Sequence, residues 1–153
     1  MELYKVKLQM IKDKTINTND KIKKPIDIVN YINSIENYSM ATTETLIVVA
    51  LNTKNEIVAY SEIAHGGSNN CELNIPSIFK IVFMSNASKF ILAHNHPSGD
   101  STPSKADIDV TKKVLTASLI MGIDFVDHIV IGDNNYHSIM SDHQELCSKT
   151  NVW

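Results

Sequence analysis

Two histidines one residue apart, His94 and His96, close an apolar run, Phe90-Ile91-Leu92-Ala93, and Pro97 follows at once. A short apolar run ended by proline reads as a buried strand. Residues i and i+2 of a strand point to one face, so two imidazoles can be aimed at a single point. Asp107 comes eleven residues after His96, where a helical pattern begins. Two imidazoles and a carboxylate form a three-ligand set for zinc that leaves a fourth position open to water. A structural zinc site is normally closed by four protein ligands. The chemistry expected is hydrolysis.

The helix that carries Asp107 gives a second reason to single it out. At 100° per residue, the polar side of 104–122 holds Lys105, Asp109, Lys112, Lys113 and Thr116. The opposite side holds Ile108, Val110, Val114, Leu115, Ala117 and Met121, with Asp107 in its middle. A carboxylate on a core-facing stripe is costly unless it is paired, hydrogen-bonded or bound to a metal. Asp109 faces solvent and needs no such account. Ser104-x-x-Asp107 is also the spacing of a capping box, and one residue can serve both purposes.

A metal-activated water needs a base, and Glu44 is the candidate, at the mouth of the apolar stretch Leu46–Leu51. Glu62 is its rival, expected on the outward face of the returning strand. Ser104 can donate to a developing oxyanion or only cap its helix. Asp127-His128 can be a hydrogen-bonded structural pair or can support a ligand from behind. His65 falls in a loop, and His137 and His143 read as surface residues. The scattered methionines read as core filler. Gly66-Gly67 lacks the spacing of a phosphate loop, so nucleotide binding finds no support.

The elements that must position these residues follow from periodicity. Residues 3–11 alternate as an edge strand, and 12–24 read as an exposed connector. A helix from Pro25 to about residue 37 presents Ile28, Val29, Ile32 and Ile35. Leu46–Leu51 is apolar on both faces, as a central strand is, and turns back at 52–55 into a strand over 56–64. Asn74 or Ser77 caps a helix to about residue 87 that carries Ile78, Phe79, Ile81, Val82 and Phe83. The strand 89–94 precedes the 104–122 helix, which Gly122 ends. A strand over 125–131 and a turn at 132–135 lead into a strand over 136–140, and a short helix can follow within 142–153. This mixture predicts an α/β fold, a mixed sheet with helices on its faces.

The 153 residues fit a single domain with a real core. With 43% hydrophobic and 20% charged residues, the chain is neither disordered nor fibrous. No run nears the ~18 apolar residues of a membrane span, and no secretory signal is expected at the N-terminus. Cys71 and Cys147 are too few for a disulfide framework, which points to a reduced, cytoplasmic protein. Net charge is −3, with 14 lysines and no arginine. Bidentate arginine readout of guanine is therefore impossible, and strong direct binding to nucleic acid is not expected.

The pattern Glu44 … His94-x-His96-Pro97-x6-Ser104-x2-Asp107 resembles the JAMM metalloprotease motif of the JAB/MPN domain. Leu51-Asn52-Thr53-Lys54-Asn55, Ile91 through Asp100, Pro103-Ser104-x-x-Asp107 and Asp127-His128-Ile129-Val130-Ile131-Gly132 are similar to the bacterial RadC family. The likeness covers about residues 27–141. It implies the JAB/MPN α/β/α sandwich, related to that of the zinc deaminases. It also implies zinc on His94, His96 and Asp107, Glu44 as acid and base, and Ser104 as oxyanion donor. Deamination itself would need a P-C-x-x-C motif, and Cys71 and Cys147 cannot supply it. Longer RadC-like proteins carry an N-terminal helix–hairpin–helix-like segment for which no room is expected here. Insertions that hold ubiquitin in other relatives are not seen either.

The expectation is a zinc-dependent metallopeptidase or isopeptidase acting on a peptide or protein substrate. The alternative is a non-catalytic or DNA-repair-associated accessory module that keeps the zinc site. Neither the substrate nor the oligomeric state follows from the sequence.

Overall fold

Alternation along the buried strands divides the apolar residues of this chain between two helical layers. The computed structural model describes residues 21–66 and 74–143. The strand expected at 3–11, both cysteines and residues 144–153 lie outside that range. Among the described residues the elements are α1 (Pro25–Ile35), β1 (Thr45–Leu51), β2 (Ile57–His65), α2 (Ile75–Met84) and β3 (Lys89–Asn95). They continue with α3 (Lys105–Met121), β4 (Asp124–Ile131), β5 (Tyr136–Ser138) and α4 (Ile139–Asp142). The strands form one mixed sheet in the order β2-β1-β3-β4-β5. β1 is antiparallel to both β2 and β3, β3 is parallel to β4, and β5 is antiparallel to β4.

On one face, Ile47, Val49, Leu51, Ile91, Ala93, Ile129 and Ile131 pack against Ile28, Val29 and Ile32 of α1. On the other, Val48, Ala50, Phe90, Leu92 and Phe125 pack against α2 and α3 through Ile78, Phe79, Val82, Val114 and Leu115. The interior strands thus bury both faces, which explains why they read as continuous apolar runs. Pro25 opens α1, and the Asp27 carboxylate accepts from the backbone N–H of Lys23 and Lys24 there. Gly122 closes α3 in the left-handed conformation, at φ 67°. No helix among the described residues is long and apolar enough to cross a membrane.

Several expectations give way. α1 ends at Ile35 and α2 at Met84, before the boundaries drawn from sequence. Asn74 occupies the N-cap of α2, but its side chain makes no capping hydrogen bond. Phe83 and Met121 are exposed, because each lies in the last turn of its helix, beyond the part that packs on the sheet. Met40 and Met84 are exposed as well, and of the described methionines only Met140 fills the core. The strand expected over 136–140 is only three residues long. The buried Asp127 carboxylate accepts from the Met140 N–H and draws the chain into α4.

Candidate metal centre

Leu92 and His94 lie on the same side of β3, so the alternation that sends Phe90 and Leu92 into the α3 layer sends His94 there too. His94 is 2% exposed. α3 begins over the end of β3 and brings Asp107 down onto it. The His94 Nε2 lies 3.0 Å from the His96 Nε2 and 3.4 Å from the Asp107 Oδ1. His96 Nε2 lies 3.5 Å from the Asp107 Oδ2. One ligand atom from each of the three residues falls within 4.8 Å of the others, close enough for a single metal ion to bridge them. Among the described residues this is the one such cluster of three or more side chains.

Both arms of the loop that follows are fixed. The His96 Nδ1 sits 2.7 Å from the backbone oxygen of Asp100. A carbonyl only accepts, so Nδ1 carries the proton and the neutral ring keeps its lone pair on Nε2, toward His94 and Asp107. The His96 N–H donates to Ile131, and the Asp133 N–H donates to Gly99, which tie the loop to the end of β4. Gly99 takes a positive φ of 80°. A Cβ on Gly132 would collide with the Asn135 side chain and the Gly99 carbonyl, so only glycine lets the two strand ends meet this closely.

The capping box forms as well. The Asp107 N–H donates to Ser104 Oγ at 3.2 Å, and the Ser104 N–H donates to Asp107 Oδ2 at 2.7 Å. Asp107 therefore caps α3 and faces the histidines at once. Burial works to raise its carboxyl pKa. The hydrogen bond and charge of His94, with the bonds to Ser104, outweigh that and hold it well below the usual carboxylate range. Asp109 is exposed, as its place on the helix demanded.

Glu44 is half-buried, one residue before β1. Leu46 pairs with His94, which puts Glu44 at the same end of the sheet as the histidines. Its backbone is held by Asn95, a residue that sequence reasoning passed over as the spacer between two ligands. The Asn95 Oδ1 accepts from the Thr45 N–H at 2.8 Å, and its Nδ2 donates to the Thr43 oxygen at 3.1 Å. The peptide groups on either side of Glu44 are thereby bound to the strand that carries the ligands. A buried amide midway along His-x-His had to satisfy its polar atoms somewhere, and that was the available signal. Glu62 pairs with Ile47, on the α1 side, and accepts from the Tyr38 hydroxyl.

The His128 ring takes the second of its two expected places, behind a candidate ligand. Asp127 does not pair with it: the carboxylate accepts from the His128 N–H and from Ser138 Oγ. The ring lies instead behind His94, with Nε2 2.9 Å from the His94 Nδ1. Burial holds His128 well below the ordinary imidazole pKa, and the neighbouring His94 acts in the same direction. His137 is partly buried and pairs with Asp142 at 2.9 Å.

A mixed sheet between two helical layers, with this cluster at the end of its middle strand, defines a JAB-type domain with a candidate metal centre. The family model for the RadC-like JAB domain matches residues 22–145, and the chain belongs to that family. It is 38% identical over 122 residues to a UPF0758 protein of Clostridium perfringens, covering 80% of this chain and 53% of that one. A UPF0758 protein of Staphylococcus aureus is 39% identical over 124 residues, 81% of this chain and 54% of that one. One of Carboxydothermus hydrogenoformans reaches 41% over 118 residues, 77% and 51% of the two chains. The chain spans about half the length of these curated relatives.

Proposed function

We propose that the chain is a zinc-dependent hydrolase that cleaves a peptide or isopeptide bond. The observation that carries this reading is the convergence of His94, His96 and Asp107 on one point. Two ligand atoms on a tetrahedral zinc, at bond lengths of about 2.0–2.1 Å, lie about 3.3–3.4 Å apart. The separations of 3.0, 3.4 and 3.5 Å scatter around that value. With three protein ligands, one coordination position is left for water.

When bound, zinc lowers the pKa of a coordinated water to about 7 and polarises the carbonyl under attack. Glu44 takes the proton from the water as its oxygen bonds to the carbonyl carbon. The same carboxyl returns that proton to the leaving nitrogen as the C–N bond breaks. Ser104 donates a hydrogen bond from its hydroxyl to the oxyanion, while its oxygen goes on accepting from the Asp107 N–H. Asn95 ties the peptide groups on either side of Glu44 to the strand that carries His94.

A peptide-library screen of the zinc-loaded protein against its chelated form tests the reading. Cleavage that chelation abolishes is expected. A library left intact by the zinc-loaded form, together with salt-dependent DNA binding of clear slope, would replace the enzyme with an accessory module.

Ser104→Ala separates two roles on one side chain. Loss of the cap should cost about 1 kcal/mol of stability. Loss of the oxyanion donor should lower turnover by roughly 10²-fold. A lower melting temperature with unchanged turnover would leave only the cap.

A further inference from the structure

We propose that His128 and Thr111 are positioning residues of the metal centre, which lock His94 in the tautomer that turns a lone pair on Nε2 toward His96 and Asp107. The inference rests on the metal-centre reading above and concerns what prepares that centre from behind.

The direction of every hydrogen bond in the chain of contacts can be deduced from one end. The backbone oxygen of Asp107 only accepts. Thr111 Oγ1 lies 2.7 Å from it, one helical turn on, so the single hydroxyl proton of Thr111 is committed there. Thr111 Oγ1 also lies 2.7 Å from the His128 Nδ1, toward which it can now only accept. His128 Nδ1 therefore carries a proton. His128 is 1% exposed, and a neutral ring with Nδ1–H has its lone pair on Nε2. That lone pair faces the His94 Nδ1 at 2.9 Å, so the His94 Nδ1 must donate to it. In neutral His94 the Nε2 is then left as a bare donor, 3.0 Å from the His96 Nε2 and 3.4 Å from the Asp107 Oδ1.

His96 reaches the same tautomer from the other side, through the Asp100 carbonyl. Three lone-pair donors thus meet with no proton assigned between them, an arrangement completed by a cation. The relay also starts on the backbone of Asp107 and ends beside its carboxylate, so it ties the orientation of one ligand to the helix that supplies another. Imidazole ligands of metals generally need such a partner on the second nitrogen. Here that partner is a second imidazole, itself oriented by a threonine.

A local break in the sheet register makes this possible. Phe90 pairs with Phe125, but Ile91 pairs with Asp127, so Val126 is an extra residue in β4. Phe125 and His128, three apart, consequently both face the α3 layer.

The test is zinc affinity of the full chain, read by competition with a chromogenic chelator. Thr111→Val and His128→Phe should each weaken zinc binding by about 10–100-fold. Thr111→Ser keeps the hydroxyl and should bind zinc like the parent chain. Nitrogen NMR of the parent chain, chelated and at alkaline pH, should show His94 protonated on Nδ1, and this needs no variant to fold. His94 found protonated on Nε2 there, or Thr111→Val binding zinc as tightly as the parent, would overturn the proposal and leave the metal centre standing. A parent chain that binds no zinc would remove the metal-centre reading itself, and the proposal with it.

Discussion

Asp107→Ala should empty the metal centre, whereas Asp109→Ala should leave it filled. The two carboxylates are two residues apart on one helix, yet Asp107 faces His94 and His96 at 3.4 and 3.5 Å while Asp109 faces solvent. Structural zinc is bound by about 10–16 kcal/mol, so one of four ligands is worth on the order of 3 kcal/mol. The variant should therefore lose roughly 10²-fold or more in zinc affinity, with metal content falling from about one ion per chain. Ser104 can still cap α3 through its own oxygen, since the Asp107 N–H survives the substitution. The helix is then expected to persist, and circular dichroism would separate metal loss from unfolding. Equal metal loss in both variants would mean that the helix-face reasoning selected the wrong carboxylate.

That reasoning was available from sequence because it rests on periodicity. β1, β3, α3 and the Gly122 stop follow from apolar spacing and turn chemistry, and they carry Leu46, His94 and Asp107, while His96, expected on the strand with His94, lies one residue past the end of β3. Periodicity failed where a residue's partner, not its own type, decides its place. The buried stripe of α3 runs through Thr111, Val114, Leu115 and Ser118, and a hydrophobic pattern hides the two hydroxyls. Thr111 is buried because the Asp107 carbonyl and His128 use it. Strict alternation from Phe125 would turn His128 to the α1 side, and only the extra residue at Val126 corrects that. A register shift between two parallel strands leaves no mark in either strand alone. Phe83 and Met121 failed for a simpler reason: periodicity says which side of a helix is apolar and not how far the sheet beneath it extends.

Glu44→Gln should abolish most hydrolysis while zinc stays bound. Glutamine keeps the size of the side chain but cannot take up the proton of an attacking water, and general acid–base groups contribute ~10²–10⁴ in rate. The backbone there should not move, because Asn95 holds the peptide groups on both sides and the Gly66 N–H donates to the Glu44 carbonyl. None of these contacts uses the carboxylate. Loss of rate with normal zinc content and melting temperature is thus the expected result. Glu62→Gln is the control: it lies opposite Ile47 on the α1 side, bonded to the Tyr38 hydroxyl, and its removal should leave turnover nearly unchanged. Two outcomes would reassign the chemistry. If Glu44→Gln loses zinc, Glu44 is a ligand and the fourth position is closed to water. If Glu62→Gln is inactive while Glu44→Gln is not, the proton travels through the α1 face of β2, and the sheet end that holds His94 and Glu44 together does not carry the base.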